Sequence, residues 1–318
     1  MRTFWRKAKQ PVYVPLIDTA EKIIHSFTAS GRALFLFFAG LMVVSSVGLL
    51  FILNQEFLVT IPAHGGSLSE GIIGAPRFIN PVLAISDADH DLTALIYSGL
   101  LRATPTGDYI PDLAESYSIS PDGRTYTVTL RKNATFHNGT PVTAKDVAFT
   151  IEKTQDPALK SPQRANWNGV QVEVPDTYTI TFTLKTPYAP FIENLTLGVL
   201  SKALWQEVGD EEFPFSDLNT SPVGTGPFML DGITRTSSGI PSAYMLRAFP
   251  HYTLGMPYLD SMTFHFFQNE EGLVKGLKAG AIETASGVSP ANLVQVSGST
   301  VERSSLNRVF AVFFNQNQ

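Results

Sequence analysis

Leu130-Arg131-Lys132-Asn133-Ala134-Thr135-Phe136-His137-Asn138-Gly139-Thr140-Pro141-Val142-Thr143-Ala144-Lys145-Asp146-Val147 is the stretch that decides the fold. It ends a strand, turns and opens a helix. Asn138-Gly139 supplies the turn, because Asn bonds its own backbone and Gly tolerates positive φ. Thr143 caps a helix running to Lys153, and Asp146, three residues on, is placed to return the bond as a capping box. Ala144, Val147, Ala148 and Ile151 then recur at helical spacing and predict the buried face.

The sequence on either side reads as two hairpins. Upstream, Tyr117–Ser120 leads through Pro121-Asp122-Gly123 into Arg124–Leu130. Pro fixes φ, Asp caps and Gly turns, so the reversal is dictated locally. Tyr126, Val128 and Leu130 alternate with Thr125, Thr127 and Thr129, the pattern of a half-buried antiparallel strand. Downstream, Val170, Val172 and Val174 precede a turn expected at Pro175-Asp176, and Tyr178, Ile180, Phe182 and Leu184 alternate after it. Asp87–Leu101 is predicted as a helix capped by Ser86 or Asp87, with Leu92, Leu95, Ile96, Gly99 and Leu100 on one face. Its Asp87-x-Asp89-x-Asp91 start resembles a calcium loop but lacks the loop's Gly and final Glu; acids in a first turn fit a helix N-terminus. Asn269–Ala279 is a further helix with Leu273, Val274 and Leu277 inward and Gly280 as its stop. Residues 308–314 read as a last apolar strand. The fold class is α+β (mixed α/β) with mixed sheets.

Ala33–Leu53 is an unbroken apolar run of 21 residues, and about 20 suffice to cross a bilayer core as a helix. Fourteen are Leu, Ile, Phe or Val, which favour insertion by roughly 4 to 8 kcal/mol. A cleaved signal peptide has a shorter apolar stretch and a small-residue cleavage site; Asn54-Gln55-Glu56-Phe57 offers none, so an uncleaved anchor is expected. Arg2, Arg6, Lys7, Lys9, Lys22 and Arg32 precede the run, whereas no Lys or Arg follows it until Arg77. The positive-inside rule then places the N-terminus in the cytoplasm and everything after residue 53 outside. Leu16, Ile17, Ala20, Ile23, Ile24 and Phe27 are spaced like an amphipathic helix on the inner surface, or belong to a disordered tail.

Composition narrows the function. The formal charge of −5 argues against a nucleic-acid partner. The absence of cysteine excludes disulfides, Cys-ligated metal, a cysteine nucleophile and a lipid-modified N-terminal cysteine. There is no G-x-S-x-G, H-E-x-x-H, P-loop or S-x-x-K, and Pro227 spoils Gly224-Thr225-Gly226-Pro227 as a phosphate cradle. The six histidines form no ligand pair. No metal, cofactor or catalytic residue is predicted; the chain reads as an external binding domain.

Residues from about Gly66 to Asn315 resemble the family 5 extracellular solute-binding proteins, the dipeptide, oligopeptide and nickel-binding group of ABC importers. Phe78-Ile79-Asn80-Pro81 looks like the start of the first lobe. Ile96-Tyr97-Ser98-Gly99-Leu100-Leu101 resembles "I-Y-E-G-L" with Ser98 in place of the acid, and Pro111–Tyr117 resembles "P-x-L-A-E-S-W". The Leu130–Val147 block is similar to "L-R-x-x-x-x-F-H-D-G-x-P-x-T-A-x-D-V", with Asn138 for Asp. Pro222-Val223-Gly224-Thr225-Gly226-Pro227-Phe228 matches "P-V-G-T-G-P-F". Arg308–Asn315 resembles the strand that opens the second lobe.

The resemblance implies a periplasmic-binding-protein-like type II fold whose two lobes close on a ligand by hinge motion. The expected organisation is a cytoplasmic tail (1–32), a transmembrane anchor (33–53), a tether (54–66), a largely complete first lobe (67–268), and a hinge with the start of a truncated second lobe (269–318). The expected function is the extracytoplasmic solute-binding component of an ABC importer. It would bind peptides or another small solute, deliver them to permease subunits, and be held at the membrane through residues 33–53. The alternatives are an anchored sensor or interaction domain that reuses the fold, and a binding protein for a nickel complex. Asn80, Tyr97, Gly224, Thr225, Gly226 and Phe228 are the candidate ligand-binding residues.

Overall fold

The structure, a computed structural model, describes residues 26–57 and 63–301 apart from 297 and 299. The expected amphipathic segment at 16–24 and the strand at 308–314 lie outside the described residues. The chain divides into Met1–Pro62 and Ala63–Gln318.

In the first unit the apolar run belongs to one helix, α1 (Ala29–Phe57). Its Ala29–Leu53 part contains an 18-residue stretch of mean hydropathy 2.5 in which no residue is buried. At 1.5 Å per residue those 25 residues reach about 38 Å, enough to cross a hydrocarbon core of about 30 Å. This length and composition suit both a membrane anchor and a signal sequence. The helix starts before residue 33 and continues through Phe57, so residues 54–57 are helical rather than extended tether. At the other end of the expected tether, Gly65 N–H donates to Tyr258 O (2.8 Å) and Asp260 N–H to Gly66 O (3.0 Å). Both glycines have positive φ, and they are fastened to the second unit.

The second unit is built on two sheets. The first is mixed, in the order β11-β1-β10-β9-β8. Here β1 is Ser67–Ile73, β8 Phe228–Arg235, β9 Pro241–Ala248, β10 Ser261–Phe267 and β11 Thr284–Ala285. Strand β1 runs parallel to β10 and β11, while β8, β9 and β10 are antiparallel neighbours. Ile72, Tyr244, Leu246 and Phe264 bury one face against Leu92 and Ile96 of α2 (Asp87–Ile96). The second sheet is antiparallel, β4-β5-β7-β6. It comprises β4 (Ala114–Ile119), β5 (Thr125–Leu130), β6 (Gln171–Asp176) and β7 (Thr179–Thr183). Tyr126, Val128, Leu130, Ile180 and Phe182 face inward from it, with Val147 and Ile151 of α3 (Ala144–Gln155) in the same core. The two predicted hairpins thus join edge to edge through β5 and β7. A short β2–β3 ribbon (Leu101–Ala103 and Tyr109–Pro111) lies between α2 and β4. Helix α4 (Glu270–Lys278) follows β10 and leads to β11, with Asn269 as its cap and Gly280 at φ 68° beyond its end.

Two local readings shift, and a third gains a distant partner. The second hairpin turns at Thr177-Tyr178 instead of Pro175-Asp176. Pro175 sits within a register shift of the edge strand β6, a position that tolerates a missing N–H, and the Asp176 carboxylate takes the Tyr178 N–H (2.8 Å). At Thr143, the backbone N–H and the hydroxyl both donate to Asp146 Oδ2 (2.9 and 2.7 Å), while Asp146 Oδ1 accepts the Lys202 N–H (2.9 Å). The predicted box therefore also ties α3 to a distant loop.

Helix α2 stops at Ile96, five residues short of Leu101. The Ile96 carbonyl accepts the Gly226 N–H (2.8 Å) and Thr225 Oγ1 accepts the Ser98 N–H (3.1 Å), so tertiary partners replace the next helical turn. At its start, Ser86 Oγ accepts the Asp89 N–H (3.1 Å) in a capping box. Asp89 is buried and accepts backbone N–H groups from Arg77 and Phe78 on one oxygen (2.7 and 2.8 Å) and from Ile85 and Ser86 on the other (3.3 and 3.0 Å). Burial alone would raise its pKa, yet these donors hold the carboxyl below the usual range. Asp89→Asn turns an NH2 toward one pair of donors, and a loss of about 2–4 kcal/mol is expected in urea unfolding. A midpoint equal to the parent's would show that the four bonds contribute nothing net.

Candidate ligand-binding recess

The Pro222–Phe228 bend and His137 hold one another. Gly224 O accepts the His137 N–H (2.8 Å), His137 Nδ1 accepts the Gly224 N–H (3.3 Å), and His137 Nε2 lies 3.0 Å from Gly226 O. With an N–H aimed at Nδ1 and a carbonyl at Nε2, the ring must be neutral with its proton on Nε2. Burial is the main cause that lowers its pKa, to about 4, and nearby Arg247 adds to it; the bond to Gly226 opposes them. The glycines permit the backbone approach: a Cβ on Gly226 would lie 2.5 Å from Leu95 O, and one on Gly224 would be 2.7 Å from the Ile96 carbonyl carbon.

This geometry separates the six candidate residues. Gly224, Thr225 and Gly226 spend their polar groups on His137, Ile96 and Ser98, and Phe228 is buried at the start of β8. Asn80 is wholly buried: its Nδ2 donates to Asn219 Oδ1 (2.9 Å) and its Oδ1 accepts the Val82 N–H (2.9 Å). These five form structural joints. Tyr97 differs. Only 4% of it is exposed, and its hydroxyl has no hydrogen-bond partner among the described residues. Burial pushes its pKa upward, so it stays a neutral donor and acceptor.

Tyr97 lines an open recess of about 430 Å³, within the ordinary range of small-molecule sites. One wall is the last turn of α2, with Thr93 and Ala94; Thr93 Oγ1 is likewise buried without a partner among the described residues. The second wall is the 163–167 turn, with Gln163, Asn166 and Trp167, and the third is the 193–198 segment. Asn194 Nδ2 donates to Asn166 O (2.9 Å) and fixes these two walls together. Gly198 lets the third wall close on the first, since a Cβ there would lie 2.7 Å from Tyr97 Cβ. Tyr109 and Glu193 complete the rim; burial first, then the nearby Glu193 carboxylate, raises the Tyr109 pKa. Among the described residues no group of His, Asp or Glu is arranged to hold a metal.

Of the six candidates Tyr97 alone lines this recess; Thr93, the Arg164–Trp167 helix and the 193–198 segment were not among them.

Residues 108–318 match the family described as bacterial extracellular solute-binding proteins, family 5, middle region. The chain belongs to this family. Among curated relatives of this family 5 protein, Protein XP55 of Streptomyces lividans is 31% identical over 225 residues, which cover 70% of this chain and 39% of XP55. The solved structure of the oligopeptide-binding protein AppA from Bacillus subtilis, in complex with a nonapeptide, superposes with a TM-score of 0.64 at 28% identity, covering 70% of this chain and 44% of AppA. NikZ from Campylobacter jejuni, in complex with Ni(L-His), gives 0.63 at 28% identity, covering 73% of this chain and 45% of NikZ. The chain therefore spans less than half the length of the relatives it matches, and the mixed α/β expectation holds over that part.

Proposed function

We propose that this family 5 protein is the extracytoplasmic solute-binding component of an ABC importer, that it takes peptides, and that it passes them to the permease. The observation that carries the proposal is the family match over residues 108–318. The recess supports it: a concave site lined by the amide-bearing Gln163, Asn166 and Asn194 suits a hydrogen-bonding solute. Tyr97 is the ligand contact in this reading. Asn80, Gly224, Thr225, Gly226 and Phe228 act behind it by fixing the wall that presents it. AppA was solved with a peptide and NikZ with a nickel–histidine complex, so the fold alone leaves the ligand class open. Peptide is favoured here on the likeness to AppA, solved with a nonapeptide.

In the same proposal α1 is an uncleaved anchor. Its N-terminal side is cytoplasmic and the binding unit extracytoplasmic, a reading supported by the basic residues before it. The full chain, expressed in a bacterial host and extracted from membranes in detergent, is expected to start at its own Met1 and to carry co-purifying peptides detectable by native mass spectrometry. A mature N-terminus beyond Leu53 would overturn the anchor. Recovery without small molecules, with no heat on titrating a tripeptide mixture, would overturn the peptide assignment.

A further inference from the structure

We propose that the 254–258 loop rests on the outer surface of the lipid bilayer, so that the extracytoplasmic unit is seated against the membrane as well as tethered to it. This rests on the anchor reading above and adds a second, peripheral lipid contact to it. Three observations argue for lipid as the occupant. First, Leu254, Met256 and Tyr258 are exposed, at 39, 42 and 53%. They share one short loop, in which Gly255 has a positive φ of 99°. Second, this loop is fastened to the point where the chain enters the unit. Gly65 N–H donates to Tyr258 O (2.8 Å), His64 Nδ1 lies 3.2 Å from Pro257 O, and the His64 and Tyr258 ring centroids are 4.8 Å apart. Helix α1 ends at Phe57, and the chain from there to His64 spans at most about 25 Å when fully extended. The link is short enough for the loop to reach the headgroup layer. Third, both stretches are without charge. In a chain of which 16% is charged, no Asp, Glu, Lys or Arg occurs from Phe57 to Ser69 or from Ala248 to Leu259. Entry into the headgroup layer therefore desolvates no Lys, Arg or carboxylate of these stretches. Leu254 and Met256 would gain apolar burial, and a tyrosine suits this depth, with its ring in the apolar boundary and its hydroxyl in water.

The chain has no cysteine, so a single introduced thiol can carry an NBD fluorophore at a chosen place. Met256→Cys and, as a control, Ser118→Cys on the exposed part of β4 are labelled in the full chain. Each is reconstituted into phosphatidylcholine–phosphatidylglycerol vesicles, with and without a lipid that bears a nitroxide on its headgroup. The nitroxide is expected to remove about half of the emission from position 256, since an interfacial segment lies about 5–10 Å into the headgroup boundary, and almost none from position 118. Leu254→Asp, added to the chain labelled at 256, should restore most of the emission with an unchanged melting temperature, because it puts a charge where the loop meets lipid. Full-length chain in the vesicles with both labels unquenched would overturn the lipid contact and leave the anchor standing. Equal quenching at both positions would mean general adhesion, and quenching untouched by Leu254→Asp would belong to the label; either result overturns the proposal. Emission at 256 that changes with protein density and not with the nitroxide would give the loop to a second copy of this chain and overturn it likewise. A chain whose mature N-terminus lies beyond Leu53 and which washes off the vesicles would overturn the anchor and the lipid contact together.

Discussion

Gly224→Ala is expected to destabilise the extracytoplasmic unit by about 3–5 kcal/mol, one of the two largest effects expected of a single change in this molecule. The new Cβ would fall inside contact distance of the Ile96 carbonyl oxygen and 2.7 Å from its carbon, with Tyr97 Cδ1 at 3.0 Å. The first two are backbone atoms, so no rotamer change relieves the clash. Moving the bend away stretches the Gly226–Ile96 bond, the Ser98–Thr225 bond and the bonds to His137 together. Each is worth about 0.5–1.5 kcal/mol net, and overpacking alone costs about 1–3. Gly209→Ala is the control: nothing lies within 4 Å of its Cβ position, and a change within about 0.5 kcal/mol is expected. Urea unfolding of the two variants beside the parent decides the matter. Equal midpoints for Gly224→Ala and Gly209→Ala would mean that the bend is not rigidly seated.

The second large effect is a loss of stability in mild acid that traces to His137. Its folded pKa is about 4, against about 6.5 for an unperturbed histidine. The folded state therefore prefers the neutral ring. Between those values the unfolded chain binds more protons, so stability is complete above about pH 6.5 and falls as pH drops toward 4. Across that window the loss is on the order of 3 kcal/mol, since each pKa unit corresponds to about 1.4. The mechanism is geometric: a proton on Nδ1 would point at the Gly224 N–H. His137→Gln should be less stable than the parent at pH 7.5 and should lack this share of the acid slope. Unfolding free energies measured from pH 7.5 to 4 in both proteins check it, because the carboxylates titrate in both. Parallel slopes would sink the assignment.

Both results bear on ligand binding indirectly. The bend that Gly224 and His137 hold is also what ends α2 at Ile96 and turns Tyr97 out of the helix, as its φ of −116° and ψ of 145° show. A loosened bend would let the last turn of α2 relax, and with it the wall of the recess that Thr93, Ala94 and Tyr97 form.

Much of this protein is written locally. Pro121-Asp122-Gly123 makes its turn from its own φ preferences and side-chain caps, and the 117–130 hairpin forms where the alternation places it. Thr143 and Asp146 set the start of α3, Ser86 and Asp89 that of α2, and Asn269 that of α4, because a cap needs partners only three residues away. The apolar run before residue 54 forms a helix because its length and composition allow little else. The ordered motifs from Ile96 to Phe228 led to the correct family.

Other features depended on residues far apart in the chain. The sequence around Tyr97 continues a helical pattern, and only the arrival of Gly226 and Thr225, over 120 residues later, ends it. Pro175 reads as a turn residue until β6 is known to be an edge strand with a register shift. Gly224-Thr225-Gly226 looked like a ligand loop, and its partners turned out to be His137, Ile96 and Ser98. By itself the sequence determined the two hairpins of the antiparallel sheet, the helix caps, the apolar helix and the family, since each rests on neighbours within a few residues or on an ordered set of motifs; the strands of the mixed sheet were not read from it. The tertiary structure decided where α2 stops, that the Gly224–Gly226 bend is a joint, and that Thr93, Tyr97, Trp167 and Glu193 surround one recess. Those outcomes depend on backbone approach and on hydroxyls left without partners, which exist only once distant segments have met.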